Sequence, residues 1–118
     1  MCRIDDLIGV PYKDNGRDLN GLDCYGVVLL IAERSGIKVP DIKFENHNLA
    51  LSDEYAPTLP VKETAELKEG IILEMDYKNS IHLGIVLNKK EFIHATKNGV
   101  RINRIGTFKI RKMYEWDL

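Results

Sequence analysis

The 118-residue sequence is poor in cysteine. It has only Cys2 and Cys24, and no Cys-x-x-Cys pair. A disulfide-stapled secreted domain of this size usually carries more cysteines. Protein zinc sites are built from clustered cysteine and histidine, and two cysteines with three scattered histidines do not form such a pattern. We therefore expect neither a disulfide framework nor a metal centre.

The sequence also lacks a basic excess and a long apolar run. Its net charge is −1 and its pI about 6.3, which does not fit a generic nucleic-acid binder. No stretch approaches the roughly 20 apolar residues of a membrane span. The N-terminus, MCRIDDLIGV, is acidic where a signal peptide is basic. We expect a protein made in the cytoplasm without a signal peptide, acting there or leaving by another route.

The fractions of hydrophobic and charged residues are typical of one soluble globular domain over residues 1–118. Hydrophobic residues make up 44% of the chain and charged residues 30%. A chain of this length can bury a stable core without disulfide bonds.

The clearest predicted element is a helix from Cys24 to Ser35. Asp23 is a suitable N-cap, and Gly36 lies where a glycine commonly ends a helix. Residues 1–9 are compatible with a short helix that stops before Pro11. Residues 11–23 are rich in Gly, Asn and Asp and are predicted to form a loop.

Strand patterns dominate the second half of the chain. Residues 37–60 predict an irregular connection with a helical turn near 49–55, and the polar residues 62–69 end at Gly70. Short β-rich stretches then follow, separated by turn signals such as NKKE and KNG. They cover residues 71–75, 81–87, 91–96, 99–103 and a last strand near 108–114. Helices followed by an antiparallel meander predict an α+β fold.

Cys24 stands in the stretch GLDCYGVVLL, at the predicted helix start. Free backbone N–H groups and the helix dipole favour a negative charge there, which predicts a lowered thiol pKa and a nucleophile. Gly26 would let another backbone or a substrate come close. A buried, inert structural cysteine is the alternative, and this stretch alone does not exclude it.

A thiol nucleophile needs a base, usually a histidine with an orienting partner. His82 and His94 lie on consecutive predicted strands, so the hairpin between them can bring the two rings together. Two half-buried histidines without a catalytic role are the alternative. His47 is predicted to lie in a loop and Cys2 near a frayed terminus, and we expect neither to take part in catalysis.

Three stretches in this order resemble the NlpC/P60 family of papain-like cysteine peptidases, many of which cut peptidoglycan stem peptides. They are IGVPYKDNGRDLNGLDCYG, LKEGIILEM and IHLGIVLNKKEFIHA, and they span residues 8–95. The resemblance implies a papain-like α+β fold, with N-terminal helices packed on an antiparallel sheet and the nucleophile at a helix N-terminus. It implies an enzyme that needs no cofactor.

The resemblance also implies roles for five residues. Cys24 matches the nucleophile, His82 the general base and His94 the residue that orients the base. Tyr12 matches a tyrosine that lines the active site and helps to hold the oxyanion or the substrate. Asp23 matches an acidic residue that binds the free amino group of a stem peptide in some members, and it is equally suited to be only the helix cap.

Departures from the family pattern point to a branch associated with phage tails. Tyr25 replaces the usual serine after the cysteine and resembles that branch, and RSGIKVPD fits the helix ending of its members. Separately, the acidic residue usual after Gly70 in the family is absent. We therefore expect phage-tail or other wall-targeting proteins as partners, and either a virion location or export to the cell wall by another route. Two alternatives stay open: a tail assembly component with an unused site, and a thiol acyltransferase or amidase acting on a substrate other than the cell wall.

Overall fold

The computed structural model describes residues 2–40, 59–77 and 80–117. Within them lie a 3-10 turn (Asp5–Leu7), one α-helix and eight strands. The helix is α1 (Cys24–Arg34). The strands are β1 (Arg17–Asp18), β2 (Gly21–Leu22), β3 (Val61–Glu63), β4 (Ile72–Tyr77), β5 (Ser80–Val86), β6 (Glu91–Thr96), β7 (Gly99–Arg104) and β8 (Ile110–Trp116).

Both predicted ends of α1 are confirmed. The Asp23 carboxylate accepts a hydrogen bond of 2.7 Å from the Gly26 backbone N–H, as an N-cap does. At the other end Gly36 has φ +80°, and the N–H groups of Gly36 and Ile37 donate to carbonyls in the last turn. This Schellman arrangement satisfies carbonyls that the helix leaves free, so the helix stops where the glycine stands.

The helix packs on one face of a six-stranded antiparallel sheet. Its buried face presents Tyr25, Val27, Val28 and Ile31. These residues join one apolar cluster with residues of the sheet, including Leu83, Ile85, Ile93, Ala95 and Val100. A second cluster, built on Leu73, Met75, Val86 and Phe92, covers the opposite face. Burial on both faces holds the sheet rigid beneath the helix N-terminus, which is where Cys24 lies.

The strand order is β3-β8-β4-β5-β6-β7. Strands β4 to β7 form the predicted meander, but β8 does not continue it. It crosses back to pair with β4, and β3 pairs with its outer side as an edge strand. The α+β prediction is confirmed, while the simple meander is wrong for β8 and the strand at Val61–Glu63 was not predicted.

The N-terminal segment differs from the prediction of a short helix, because only a single 3-10 turn forms at Asp5–Leu7. The N-terminal helices expected of the fold are therefore reduced to this turn and α1 in the described residues. The helical turn expected near 49–55 and the loop histidine His47 lie outside them. In the part of the chain that the structure describes, no helix is long and apolar enough to cross a membrane.

Candidate active site

Cys24 is the first residue of α1 and is partly exposed. It opens onto a cleft of about 390 Å³ between the helix N-terminus, the loop before it and the ends of β5 and β6. The residues that line the cleft are Tyr12, Asp14, Cys24, Tyr77, Ser80, Ile81, His82, Ala95, Thr96 and Lys97. Cys24 is therefore a cleft residue and not a member of the sealed core.

The loop before Cys24 is held close to the helix start. A Cβ at Gly26 would collide with the carbonyl oxygen of Gly16. Gly26 was expected to let another backbone or a substrate come close, and the backbone that does so is this loop. The approach lets the loop carry Tyr12 and Asp14 to the cleft wall.

Asp23 does not line the cleft, and it is only 1% exposed. Besides capping α1 at Gly26, its carboxylate accepts hydrogen bonds of 2.9 Å from the Asn15 N–H and 2.8 Å from the Arg17 guanidinium. These contacts support the helix-cap role over recognition of a substrate amino group. Asp14 is the carboxylate that the structure places on the cleft wall.

The histidines lie where β5 and β6 separate. The two strands pair only at Ile85↔Ile93 and Val86↔Phe92, near the turn that joins them. Beyond those pairs the sheet opens, and the gap forms part of the cleft. Because side chains alternate along a strand, His82 and His94 emerge from the same face of this opening.

The two imidazoles are joined directly. His82 Nε2 lies 2.8 Å from His94 Nδ1, and His94 Nε2 lies 2.6 Å from Asn103 Oδ1 on β7. His82 lines the cleft and is 6% exposed, whereas His94 is completely buried behind it. His82 Nδ1 is the ring nitrogen that its hydrogen bond with His94 leaves available.

Aromatic rings enclose the histidine pair. Tyr77 stacks on His82 with ring centroids 4.8 Å apart and planes 27° from parallel. Phe92 and Phe108 lie 4.7 Å and 5.7 Å from the His94 ring. These apolar surroundings fix the ring orientations and disfavour a charged imidazolium.

Burial lowers the pKa of both histidines. The pKa of His82 falls to about 3, through burial first and the neighbouring His94 second. Burial also lowers the pKa of His94, and its hydrogen bond with Asn103 partly opposes that effect. Both rings are therefore neutral at neutral pH.

Burial raises the pKa of the Cys24 thiol to about 11. Backbone hydrogen bonds at Leu83, Tyr25 and Cys24 itself oppose this effect, and the negative charge of Asp23 adds to it. The direction is opposite to the lowered pKa that the helix N-terminus predicts, because loss of hydration outweighs the helix-end groups. At neutral pH the cleft thus holds a neutral thiol and a neutral imidazole.

Tyr12 is half-buried on the cleft wall. Its phenol pKa is raised, chiefly by burial and then by the charges of Cys24 and Asp14, and a hydrogen bond with Asp14 adds to the effect. The hydroxyl therefore stays protonated and can donate a hydrogen bond. Within the described ranges, no group of three or more His, Cys, Asp or Glu side chains could hold a metal ion.

Three residues of this site were not predicted from the sequence, namely Asp14, Tyr77 and Asn103. Asp14 and Tyr77 carry no motif signal. Asn103 could have been found, because the two-residue turn after Thr96 pairs Thr96 with Gly99 and so pairs Phe92 with Asn103. That register puts Asn103 on the same face of the sheet as His94.

The NlpC/P60 family profile matches residues 9–115. The chain belongs to the NlpC/P60 family. The match covers all the elements that build the cleft, and the family predicted from the sequence is confirmed. The likeness to the phage-tail branch stays a prediction.

Curated relatives carry the same domain within longer proteins. The chain is 28% identical over 99 residues to the "Probable endopeptidase p60" of Listeria innocua, and 27% identical over 99 residues to that of Listeria monocytogenes. Each match covers 83% of this chain but 19% of the relative. The chain thus spans about a fifth of the length of these relatives.

Solved structures of NlpC/P60 domains share the fold. The NlpC/p60 domain of the peptidoglycan hydrolase SagA has a TM-score of 0.66 and 19% identity, over 92% of this chain and 89% of that one. An NlpC/P60 protein from Bacillus cereus has a TM-score of 0.64 and 19% identity, over 98% of this chain and 41% of that one. At these identities the likeness shows the fold alone.

Proposed function

We propose that the domain is a cysteine peptidase that hydrolyses amide bonds in bacterial peptidoglycan stem peptides. The observation that carries the proposal is one arrangement: Cys24 and His82 share a cleft, and His94 binds the ring nitrogen of His82 on the far side from the cleft. A nucleophile, a base and a group that orients the base are what covalent amide hydrolysis requires. The substrate class is supported by family membership and by the names of the relatives.

The first half-reaction forms a thioester. As Cys24 Sγ attacks the substrate carbonyl carbon, its proton passes to His82 Nδ1. General-base transfer during attack suits a neutral thiol and imidazole better than a preformed ion pair. The tetrahedral intermediate then collapses, the C–N bond breaks, and the proton on His82 Nδ1 goes to the leaving amine.

The second half-reaction releases the acyl group. A water molecule gives a proton to His82 Nδ1 and attacks the thioester carbon. The C–S bond breaks, and the departing sulfur regains the proton from His82. Each step uses only water and groups of this chain.

The oxyanion of each intermediate would lie at the start of α1. The Cys24 backbone N–H is free of intrahelical bonds at that position and can donate to it. The Tyr12 hydroxyl lies on the same cleft wall and becomes a second donor when its proton turns from Asp14 to the oxyanion. Lys97, just after β6, offers a positive charge to a substrate carboxylate. Asp14, on the same loop as Tyr12, offers a negative charge to an amino group.

Digestion of purified peptidoglycan and of free stem peptides tests the proposal, with products identified by mass spectrometry. The wild-type domain should release new fragments, and their masses should identify the bond that is cleaved. Cys24→Ala should release none, and Cys2→Ala serves as the matched cysteine control with full activity. Transfer of the acyl group to an added amine, without hydrolysis, would favour the acyltransferase alternative. No reaction of the wild type with any wall substrate would contradict the proposed substrate.

A further inference from the structure

Asn103 ends a chain of hydrogen bonds that begins at the cleft. Its side-chain oxygen lies 2.6 Å from His94 Nε2, and His94 Nδ1 lies 2.8 Å from His82 Nε2. Asn103 is half-buried in β7, opposite Phe92 in the strand register. It is therefore held by the sheet itself and not by a loop.

The acceptor at the end of this chain fixes every proton in it. A neutral imidazole carries one N–H and one lone pair, and an amide oxygen can only accept. His94 must therefore carry its proton on Nε2, which leaves Nδ1 to accept. His82 must then donate from Nε2, so its Nδ1 keeps the lone pair on the cleft side.

The opposite arrangement would disable the base. If Asn103 presented its NH2 group to His94, His94 Nε2 would accept and His94 Nδ1 would donate. His82 Nε2 would then accept, and its only proton would sit on Nδ1. A protonated Nδ1 cannot take the proton of the Cys24 thiol, so the identity of the terminal acceptor decides whether the site can react.

We propose that Asn103 is a positioning residue that sets the tautomers of His94 and His82 and so keeps His82 Nδ1 available as the base. The catalytic consequence rests on the proposed function, whereas the tautomers themselves do not. Asn103 acts only through His94, because it does not line the cleft.

Nitrogen-15 NMR of the histidine rings tests the tautomers directly, without any substrate. In the wild type both buried histidines should show the proton on Nε2 and a bare Nδ1. In Asn103→Leu the His94 ring should lose its single tautomer and give a mixture. Asn103→Asp, whose carboxylate can only accept, should restore the Nε2–H form. A wild-type His82 with its proton on Nδ1, or an Asn103→Leu spectrum with unchanged tautomers, would overturn the proposal.

The pH profile of hydrolysis adds a readout that a merely structural role would not change. Asn103→Leu should lower kcat about tenfold with little change in KM, at the low end of what general acid–base groups contribute. Asn103→Asp should retain activity but move the acid limb to higher pH, since a nearby carboxylate favours the imidazolium. An Asn103→Asp acid limb at the wild-type pH would count against the proposal.

Arg101 provides a matched control on the same strand. It lies opposite His94 in the register, but its guanidinium donates to the Val100 carbonyl at 3.0 Å and it is exposed. Arg101→Gln should leave the tautomers and the acid limb unchanged. If wall substrates are not cleaved but the tautomers respond as expected, the positioning role stands and only the substrate assignment fails.

Discussion

His82 and His94 lie on neighbouring antiparallel strands, and their rings meet Nε2 to Nδ1 at 2.8 Å beyond the point where those strands stop pairing. A fully paired β5–β6 hairpin would close the gap that forms part of the cleft. The separation of the strands therefore gives His82 a surface on the cleft and still leaves His94 buried behind it.

Removing the two histidines should have unequal effects on hydrolysis. His82→Ala removes the proposed base and should lower kcat/KM by roughly 10³-fold. His94→Ala removes only its orienting partner, so we expect a loss about one-tenth as large. Steady-state kinetics measure both, with thermal melts to confirm that each variant is folded. Equal losses would contradict a purely orienting role for His94.

The thiol of Cys24 should alkylate slowly at neutral pH. Because burial raises its pKa to about 11, the thiolate fraction should grow about tenfold for each pH unit between 7 and 10. Iodoacetamide labelling in a Cys2→Ala background measures this rate. A plateau reached below pH 7 would show instead a preformed thiolate, and the lowered pKa expected from the helix N-terminus would be right.

Stability should fall in acid because the buried histidines resist protonation. Their folded-state pKa values are lowered, so below about pH 6.5 the unfolded chain binds more protons than the folded one. Between about pH 6.5 and its lowered pKa, His82 alone lowers the free energy of unfolding by about 1.4 kcal/mol per pH unit.

Urea unfolding of the wild type and His82→Gln between pH 7.5 and 4.5 isolates one of these contributions. The carboxylates are common to both proteins, so their effects cancel in the difference. We expect the difference to change by roughly 2–3 kcal/mol over two pH units below 6.5. Parallel stability curves would show that His82 is protonated in the folded protein at an ordinary pH.

Gly84 should not tolerate a side chain. A Cβ there would lie 2.9 Å from the Phe92 ring and 3.1 Å from the Ile93 carbonyl oxygen. Gly84→Ala should cost roughly 1–3 kcal/mol of stability, as overpacking does. It should also lower activity, because Phe92 packs on His94. A variant with wild-type stability and kcat would show that Phe92 can move without disturbing the histidine pair.

The elements that the sequence predicted well carry their own local signals. The ends of α1 follow from the cap at Asp23 and the glycine at Gly36, and β6 has the bounds predicted from EFIHAT. The edge strand Val61–Glu63 was missed because its three residues are two-thirds charged and show no alternation. Its pairing with β8 is a long-range event that no local pattern encodes.

The residues of the candidate site could be predicted from the sequence, but the directions of their pKa shifts could not. Cys24, His82 and His94 stood out by their spacing and by resemblance to the family. The direction of the Cys24 pKa depends on how completely β5 and the loop cover the thiol, which is a property of the folded chain. The role of Asp23 also depends on the folded chain, because its carboxylate forms an ion pair with Arg17 across the loop.

The proposed mechanism requires a covalent bond between the substrate acyl group and Cys24. Acid-quenched turnover of a stem peptide, followed by digestion and mass spectrometry, would detect a thioester on the fragment that contains this residue. We predict an added acyl mass on that fragment in the wild type and none in Cys24→Ala, which should also form no product. Product formation by Cys24→Ala, or turnover with the acyl group on another residue, would contradict Cys24 as the nucleophile.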